Sequence, residues 1–412
     1  MENTHAIPRC RSCDAELVTT FVDLGVQPLS NNYVSFALRG EADIFYPLHV
    51  FACDRCFLVQ IDSFEARESI FSADYAYYSS FADSWVAHAK RYAAHATERL
   101  ALTPASRIVE IASNDGYLLR WFVERGMTVM GVEPAEGVAA VARQAGVPTR
   151  VEFFGIDAAR QLRAEFGPAD LMAANNVLAH VPNLHDFIGG FAIALAPTGT
   201  ATFEFPHLLR MIDDAQFDTI YHEHFSYISL LAIEPVFAKH GLVVYDVEEL
   251  PTHGGSLRLW VSHAGKAPTE AVAAMRARER AEGLASRERY TKFGERVAKI
   301  KRDTLRFLID AFERGERVVG YGAPAKGNTF LNYCGIGPDL LAFTCDRNPQ
   351  KHGKLLPGSR IPIRPPEAIA EERPDYVFVL PWNLEAEVVS QLASIRSWGG
   401  RFVVAIPQLR IT

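Results

Sequence analysis

Apolar runs, polar turns and helical patterns alternate in the same order in two stretches of the chain. In residues 107–134, a β-branched run that includes Ile108, Val109 and Ile111 ends in a small polar loop. A helical pattern and a second apolar run follow, and that second run ends at Glu133. This order of strand, tight turn, helix, strand and acid predicts the first half of a doubly wound nucleotide-binding sheet.

The same order returns near the end of the chain. Residues 317–328 predict a strand, a glycine turn and a helix start, and residues 341–346 predict a second strand with an acid at its tip. Residues 374–383 and 401–407 predict two more strands. Lys326 lies at the predicted helix start, where it suits a phosphate or pyrophosphate group; an ordinary solvent-exposed lysine is the alternative. The chain therefore contains a second predicted sheet that resembles a nucleotide-binding one.

The turn in the first stretch departs from the dinucleotide fingerprint, because it carries a single glycine where G-x-G-x-x-G is expected. An acid, Glu110, lies inside the end of the preceding strand, as is common in enzymes that bind S-adenosylmethionine (SAM). Asn114 and Asp115 tolerate positive φ angles better than most residues and can replace the missing glycines. An acid such as Glu133 can accept two ribose hydroxyls. These features favour SAM; a βαβ unit that binds no ligand is the alternative.

Four of the six cysteines form two C-x-x-C pairs, Cys10 with Cys13 and Cys53 with Cys56. Two residues between thiolates allow one turn to present both sulfurs to a metal ion, and two such turns complete a tetrahedron. The alternatives are two unrelated buried pairs or a redox dithiol. Four cysteines leave no open coordination position, so we predict a structural zinc ion in a small N-terminal lobe.

Four consecutive titratable side chains stand at Tyr221, His222, Glu223 and His224. Burying such a cluster in a core strand would cost considerable desolvation free energy. A metal bound by the two histidines is one interpretation, but convincing further ligands are missing. A bland surface turn is another. Acid–base chemistry is favoured, because histidine is the side chain most readily poised near neutral pH and a carboxylate neighbour can orient it.

Other stretches complete the pattern. A predicted strand over residues 169–176 ends in two asparagines, with His180 beyond, and such strand ends face the ligand in a doubly wound sheet. Glycines at 254–255 permit close backbone approach. Residues 24–33 are expected to form a surface loop. Residues 267–315, rich in alanine, glutamate and arginine, are expected to form a solvated connecting helix.

Composition excludes several classes of function. Of the 412 residues, 49% are hydrophobic and 22% are charged, which is typical of a globular protein with two or three domains. The formal net charge is −7 without a lysine or arginine block, which argues against nucleic acid as a partner. The sequence shows no apolar run of membrane-spanning length and no signal-peptide core at its start, so we expect a cytoplasmic protein that has no membrane partner.

Taken together, the motifs resemble those of the SAM-dependent sugar C-methyltransferases. The shared motifs are the two C-x-x-C pairs, E-I-A-S-N-D-G, Y-H-E-H-F-S-Y, H-G-G-S and Y-G-A-P-A-K-G-N, in this order along nearly the whole chain. Members of this family methylate dTDP-linked keto-deoxyhexoses during antibiotic deoxysugar biosynthesis, and the likeness is strongest to the C-3′-methyltransferases. The resemblance implies an α/β fold in three parts: a zinc-binding lobe over residues 1–65, a SAM-binding Rossmann-like domain over 66–300 and a second Rossmann-like domain that binds the nucleotide sugar over 301–412. We expect a monomer.

The resemblance also assigns residues. The matching metal ligands are Cys10, Cys13, Cys53 and Cys56. The matching SAM contacts are Glu110, Ser113, Asp115, Gly116, Glu133 and Asn175. His224 matches the general base, with Tyr221, Glu223, Tyr75 and His180 as further catalytic candidates. Tyr77, Tyr321, Lys326 and Asn328 are the candidates for binding the sugar nucleotide. One departure is Ala112, where many SAM loops have glycine.

The chemistry implied by the resemblance begins with a carbon acid. Carbon is a poor nucleophile, but a 4-keto group acidifies the hydrogen at C3 and also at C5. His224 can remove it while Tyr221 or Tyr75 donates to the developing oxyanion. His222 and His180 are the alternatives for the base. The alternative functions are C5 methylation of a dTDP-4-keto-6-deoxyhexose, O- or N-methylation, and an NAD-linked sugar oxidoreductase or epimerase.

Overall fold

The computed structural model describes residues 7–62 and 78–412. Its strands, in chain order, are β1 (Thr19–Gln27), β2 (Val34–Ser35), β3 (Tyr46–Ala52), β4 (Val59–Ile61), β5 (Arg107–Ile111), β6 (Thr128–Val132), β7 (Thr149–Arg150), β8 (Ala169–Asn175), β9 (Leu195–Pro206), β10 (Ser226–Tyr227), β11 (Leu242–Leu250), β12 (Ser256–His263), β13 (Val318–Tyr321), β14 (Thr344–Cys345), β15 (Lys354–Leu355), β16 (Ile363–Arg364), β17 (Tyr376–Val379), β18 (Arg401–Val404) and β19 (Arg410–Ile411).

The α-helices within the same described ranges are α1 (Asp83–Arg99), α2 (Arg120–Val123), α3 (Glu136–Gln144), α4 (Ile156–Phe166), α5 (Leu184–Ala194), α6 (Leu208–Asp213), α7 (Leu230–Lys239), α8 (Glu270–Ala281), α9 (Arg287–Thr291), α10 (Phe293–Glu313), α11 (Ala325–Cys334), α12 (Ala368–Glu372) and α13 (Glu385–Gln391). None of these helices is both long and apolar enough to cross a bilayer.

The largest sheet has the strand order β11-β12-β9-β8-β5-β6-β7. Its strands are parallel except β12, which runs antiparallel to both neighbours. Parallel strands are covered by helices on both faces, which explains why Ile108 to Ile111 of β5 are all buried. The order reverses between β5 and β8, so a ligand crevice is expected outside the carboxyl ends of these strands. The predicted Rossmann-like sheet is confirmed.

The C-terminal sheet has the order β16-β14-β13-β17-β18-β19, and only the β18–β19 pairing is antiparallel. Its order reverses between β13 and β17. The same rule therefore places a second crevice beyond the carboxyl ends of β13 and β17. The second Rossmann-like sheet predicted from the sequence is confirmed.

The N-terminal lobe forms an antiparallel sheet in the order β1-β3-β4-β10. Its last strand, β10, comes from the middle of the chain. A second link is the pairing of β2 with β15, which joins the lobe to the C-terminal part. The domain limits at residues 65 and 300 stay predictions. The two pairings form hydrogen bonds between parts of the chain that these limits separate.

Two expectations about connecting segments were wrong. Residues 24–33 do not form a simple surface loop, because Leu24 ends up in the core with β1, Gln27 and Ser30 are buried, and the Tyr33 hydroxyl donates to the Ala323 carbonyl at 2.6 Å. Turn residues give no local indication of such long-range packing.

Residues 267–315 are also more than a solvated connection. They form α8, α9 and α10, and Phe293 stacks on Phe21 of the lobe with ring centroids 4.4 Å apart. The carboxylate of Glu279 is fully buried and accepts hydrogen bonds from His207 and from the main chain at the start of α7. The alanine-rich composition concealed the buried face of these helices.

Candidate active site

A cavity of about 790 Å³ connects the two crevices. Its wall contains residues from all three parts of the chain, including Asn31 of the lobe, Glu133 and His224 of the middle part, and Tyr321 and Lys326 of the C-terminal part. A volume of this order fits an organic ligand of considerable size. The cavity therefore brings together eight of the residues selected from the sequence: Glu133, Asn175, His180, Tyr221, Glu223, His224, Tyr321 and Lys326.

The turn after β5 has positive φ angles at Ala112 (53°), Asn114 (50°) and Gly116 (80°). A Cβ atom at Gly116 would lie 2.9 Å from Cγ2 of Val147, so both conformation and space require glycine there. Asn114 replaces a glycine, as the sequence predicted, whereas the same prediction for Asp115 was wrong, because Asp115 does not have a positive φ. Ala112 adopts the same region with a methyl group, and it lines the cavity.

Glu133 completes this crevice at the end of β6. Its carboxylate accepts hydrogen bonds from the main-chain N–H of Asn114 (3.0 Å) and of Ala135 (2.9 Å), and it lines the cavity. Burial raises the pKa of Glu133 above its usual value. The apolar side chains Val132 and Phe154 line the adjoining wall. A carboxylate acceptor beside a flat apolar wall fits the ribose and base of a nucleoside.

The other predicted SAM residues divide into two groups. Asn175, at the end of β8, lines the cavity. Ser113, Asp115 and Gly116 shape the turn, and Asp115 accepts the main-chain N–H of Ser80 at 3.1 Å. Glu110 is fully buried behind the turn, where burial raises its pKa well above the usual value. These four residues do not belong to the cavity wall.

His224 is held at both ring nitrogens. Its Nδ1–H donates to the Thr219 carbonyl at 2.8 Å, and its Nε2 accepts from the Tyr221 hydroxyl at 2.8 Å. The carbonyl can only accept, so it fixes the tautomer that carries its proton on Nδ1. Burial, together with neighbouring His180, holds the pKa of His224 well below its usual value. His224 therefore presents a neutral ring with a lone pair on Nε2.

The two other titratable residues of this segment face different surroundings. Glu223 lines the cavity, and its carboxyl group accepts a hydrogen bond from Asn31 Nδ2 at 2.6 Å. Burial raises the pKa of Glu223 to about 7. His222 instead donates from Nε2 to the Pro47 carbonyl at 3.2 Å, and it does not belong to the cavity wall. His222 is thus directed to the lobe.

Two further histidines border His224. His180 packs against it with ring centroids 4.6 Å apart and lines the cavity. His253 lines the cavity from the turn before β12, where it has a φ of 54° and accepts from Asn176 Nδ2 at 3.0 Å. Burial lowers the pKa of His180 and of His253 to about 4. Neutral rings therefore surround the proposed base at neutral pH.

Trp382 of the C-terminal part closes on the middle part. Its Nε1–H donates to Asp218 Oδ2 at 2.7 Å, and a Cβ atom on Gly254 would lie 2.4 Å from its ring. The Nζ of Lys326 lies 4.9 Å from the centre of that ring and donates to Asn383 Oδ1 at 2.9 Å. The glycine turn thus allows the close approach that the sequence predicted.

The crevice beyond β13 contains three cations and an acid. Lys326, Lys351 and Arg347 line the cavity together with Asp346. The Asp346 carboxylate accepts from the main-chain N–H of Ala323 (2.7 Å) and of Asn348 (2.8 Å). This cationic set at the start of a helix fits an anionic group such as a diphosphate.

The remaining substrate candidates differ in position. Tyr321 lines the cavity and donates to Gln391 at 3.1 Å. Asn328 is buried and accepts from Asn332 Nδ2 at 3.1 Å, and it does not belong to the cavity wall. Tyr75 and Tyr77 lie outside the described residues.

The four cysteines meet in the lobe. The Sγ atoms of Cys10, Cys13, Cys53 and Cys56 all lie within 4.8 Å of one another. Gln60 Nε2 donates to the Sγ of Cys10 at 3.2 Å. Four clustered thiols without an open position fit a structural zinc ion, as the sequence predicted.

Sequence reasoning missed five residues of the site: Asn31, Asp218, Arg347, Lys351 and Trp382. Asp218 lies three residues before the titratable cluster of residues 221–224. His253 belongs to the H-G-G-S motif, but the motif alone does not indicate that its ring faces the cavity. Asn31 and Trp382 reach the site only through tertiary packing, so no local pattern identifies them.

Family models cover the three parts of the chain in order. A model described as "Putative zinc binding domain" matches residues 10–71, one described as "Methyltransferase domain" matches 85–247, and one described as "C-methyltransferase C-terminal domain" matches 251–407. C-methyltransferase NovU of Streptomyces niveus is 35% identical over 407 residues, which cover 98% of this chain and 97% of that protein.

Solved structures match only part of the chain. The SAH-bound magnesium protoporphyrin IX methyltransferase of Synechocystis PCC 6803 is 14% identical with a TM-score of 0.35, over 43% of this chain and 83% of that chain. A SAM-dependent methyltransferase of Mesorhizobium loti is 16% identical with a TM-score of 0.32, over 40% and 95%. Similarity at this level decides nothing about function.

Sequence similarity over almost the full length is decisive for the family. It also argues against an NAD-linked oxidoreductase or epimerase, because the models that match the middle and C-terminal parts are both described as methyltransferase domains. The cluster of four cysteines and the nucleoside-type crevice at Glu133 are features expected of such an enzyme. The chain belongs to the family of zinc-containing, SAM-dependent C-methyltransferases.

Proposed function

We propose that this C-methyltransferase methylates C3 of a dTDP-linked 4-keto-2,3,6-trideoxyhexose that carries an amino or hydroxyl group at C3, in the biosynthesis of an antibiotic deoxysugar. The observation that carries the proposal is the position of His224: a neutral imidazole with a fixed tautomer lines a cavity that joins two nucleotide-type crevices. A C-methyltransferase that acts on a carbon acid requires a base between its two substrates.

The two crevices suit different ligands. The crevice at Glu133 offers a carboxylate to ribose hydroxyls, and it would hold SAM, which supplies an electrophilic methyl group when bound. The crevice at Lys326 offers cations, and it would hold the diphosphate of the sugar nucleotide. The different charges of the two crevices would therefore direct SAM and the sugar nucleotide to different ends of the cavity. Both crevices open into the same cavity, so the reacting carbon and the methyl donor can meet beside His224.

His224 would remove the C3 proton. Its Nδ1–H is committed to Thr219, so only Nε2 can accept a proton. The low pKa of His224 keeps Nε2 unprotonated at neutral pH, and the resulting imidazolium loses its proton readily. Asn175 and Glu133 would orient the cofactor while this proton moves.

Tyr221 would stabilise the enolate. Its hydroxyl hydrogen now points at His224 Nε2. Because Nε2 has a single lone pair, the hydroxyl would first turn its hydrogen from Nε2 to the keto oxygen at C4, which frees the lone pair for the C3 proton. From there it would donate a hydrogen bond to the developing oxyanion, where such a donor stabilises the transition state. Tyr75 and His180 stay predictions for this role, and Glu223 would maintain the polarity of the wall.

The test is a mass-spectrometric assay in deuterated water with SAM and dTDP-4-keto-2,3,6-trideoxyhexoses that carry an amino or hydroxyl group at C3. We expect a gain of one methyl group at C3 and, when SAM is omitted, exchange of the C3 hydrogen. His224→Asn should lower both rates by about 10²–10⁴ with SAH affinity unchanged. His222→Asn is the matched control, because His222 faces Pro47, and it should retain turnover.

Each contrary result has a definite meaning. A methyl group and exchange at C5 would establish the C5 alternative. Methyl transfer to oxygen or nitrogen without carbon exchange would establish O- or N-methylation. Full exchange in His224→Asn would remove His224 from the role of base.

A further inference from the structure

The zinc lobe contacts the segment that carries His224 at several consecutive residues. β10, which begins two residues after His224, pairs with β4, with Ser226 opposite Gln60 and Tyr227 opposite Val59. The Ile61 N–H donates to the Phe225 carbonyl at 3.1 Å. The lobe therefore holds the main chain directly after the proposed base.

Arg11 adds side-chain contacts at the same place. It lies between Cys10 and Cys13, within the first zinc knuckle. Its Nη1 donates to the carbonyls of Ile61 (2.5 Å) and Phe225 (3.2 Å), and its guanidinium carbon lies 5.4 Å from the centre of the Phe225 ring. One side chain of the metal-binding turn thus holds both the main chain and the ring of the residue next to His224.

Gln60 joins this side chain to the thiolate. Its Oε1 accepts from the main-chain N–H of Arg11 at 2.9 Å, and its Nε2 donates to Cys10 Sγ at 3.2 Å. Gln60 is fully buried, so both ends of its amide group depend on these partners. A continuous set of hydrogen bonds therefore runs from a metal-binding sulfur through Gln60 and Arg11 to Phe225.

The opposite side of Phe225 is fixed by the middle part of the chain. Its N–H donates to the Ala179 carbonyl at 2.7 Å, next to His180. Phe225 is thus held between the zinc lobe and the middle part of the chain. A loss of the lobe contacts would let Phe225 shift toward the middle part. His224 would move with it, and a displacement of about 1 Å can cost about a hundredfold in rate.

We propose that Arg11 is a positioning residue, which orients His224 by fixing Phe225 to the zinc knuckle. The proposal rests on the proposed role of His224, but its structural part stands on the contacts alone. The zinc lobe then contributes to turnover as well as to folding, although no cysteine of the lobe reaches the substrate.

The second knuckle provides a matched control. Arg55 occupies the equivalent region between Cys53 and Cys56, and its side chain is exposed. Arg11→Met and Arg55→Met remove the same charge from a C-x-x-C turn, but only the first removes donors to Phe225. Arg11→Lys keeps the charge and a donor, though not the forked guanidinium geometry.

The full-length, zinc-loaded variants would be compared in four measurements: zinc content, SAH affinity by calorimetry, kcat, and amide hydrogen exchange of residues 217–228 by mass spectrometry. We expect Arg11→Met to bind zinc and SAH as Arg55→Met does. Its kcat should fall by at least about tenfold and its exchange in 217–228 should accelerate. Arg11→Lys should lie between Arg11→Met and the wild type, and it decides the matter if Arg11→Met does not fold.

Unchanged exchange of residues 217–228 in Arg11→Met and Arg11→Lys would overturn the proposal. So would an equal loss of SAH affinity and kcat, since that would indicate a general structural defect. Faster exchange with full turnover would also overturn it, because the contacts would then order the loop without setting the position of His224. The proposed function fails separately, if His224→Asn keeps full exchange of the C3 hydrogen.

Discussion

The two Rossmann-like sheets repeat one local design at their ligand crevices. Glu133 follows β6 and accepts main-chain N–H groups from the turn after β5 (Asn114) and from two residues beyond itself (Ala135). Asp346 follows β14 and accepts from the turn after β13 (Ala323) and, again, from two residues beyond itself. Each acid thus ties the first turn to the second strand.

The difference lies in the charge around these similar turns. The C-terminal crevice gathers Lys326, Arg347 and Lys351, whereas the middle crevice presents the acids Glu133 and Glu152, of which Glu152 pairs with Arg150 at 2.6 Å. A cationic turn favours an anionic diphosphate, and an acidic one favours a nucleoside with a positively charged sulfonium group. One backbone design therefore serves two ligands because the side chains around it differ in charge.

The largest expected effect concerns an acid without main-chain donors. The Glu223 carboxyl group accepts a hydrogen bond from the Asn31 side chain, and burial raises its pKa to about 7, above the usual 4.5. The folded state therefore binds more protons than the unfolded state between these values. Stability is full below about pH 4.5 and falls as pH rises through about 7, by up to about 3 kcal/mol. Thermal unfolding of Glu223→Gln from pH 4.5 to 8 should show a smaller fall.

The control for this experiment is Glu313→Gln at an exposed position, which should follow the wild-type pH dependence. A wild-type slope in Glu223→Gln would show that Glu223 is not the buried acid responsible.

The next effect separates the two crevices. Glu133→Ala leaves the N–H groups of Asn114 and Ala135 without their acceptor, and this should weaken SAH binding about 30-fold with dTDP affinity unchanged. Asp346→Ala should do the reverse. Calorimetry with each ligand on both variants checks this. If either variant weakens both ligands alike, the crevices are not independent and the comparison fails.

A smaller effect tests the charge difference. Lys326→Met should raise the KM for the sugar nucleotide by about tenfold and leave the KM for SAM unchanged, since a single charge-assisted contact is lost. Steady-state kinetics at two salt concentrations measures it, and the loss should shrink at higher salt. Lys354→Met, outside the cavity wall, is the charge-matched control. An equal change in both KM values would contradict the assignment.

The smallest effect concerns the turns themselves. The C-terminal turn uses glycine for its positive φ (Gly322, 90°), whereas the middle turn uses Ala112 at 53°. Ala112→Gly should relieve this strain, and the gain is partly offset by the greater freedom of glycine in the unfolded chain. We expect stabilisation of less than about 1 kcal/mol by thermal unfolding, with SAH affinity retained. Marked destabilisation would show that the Ala112 methyl group packs productively.

Features set by local pattern were predictable from the sequence. The β-branched runs identified β5 and β13, the C-x-x-C spacing identified the cysteine cluster, and the titratable block identified the segment that holds His224 in the cavity wall. Each of these depends on neighbours in the chain. Asn328 was selected by motif alone, and its side chain lies away from the cavity.

Features set by distant packing were not predictable. β10 and β15 are two-residue strands without periodicity, so no pattern indicates their partners. Asn31 reaches Glu223 only because residues 24–33 pack against the C-terminal part. Asp218 accepts a hydrogen bond from Trp382, which lies 164 residues away in the chain. These contacts join residues that are far apart in the chain, and no short sequence pattern indicates which of them will meet.

The late arrival of β10 has a consequence for synthesis of the chain. The lobe's sheet lacks its fourth strand until residues far downstream have left the ribosome, and β2 waits still longer for β15. Such non-local pairings close slowly and leave strand edges open in the meantime. Early metal binding can stabilise the two C-x-x-C turns during this interval, when the edge of β4 is still unpaired. The chain therefore completes its first sheet only after most of its second has been made.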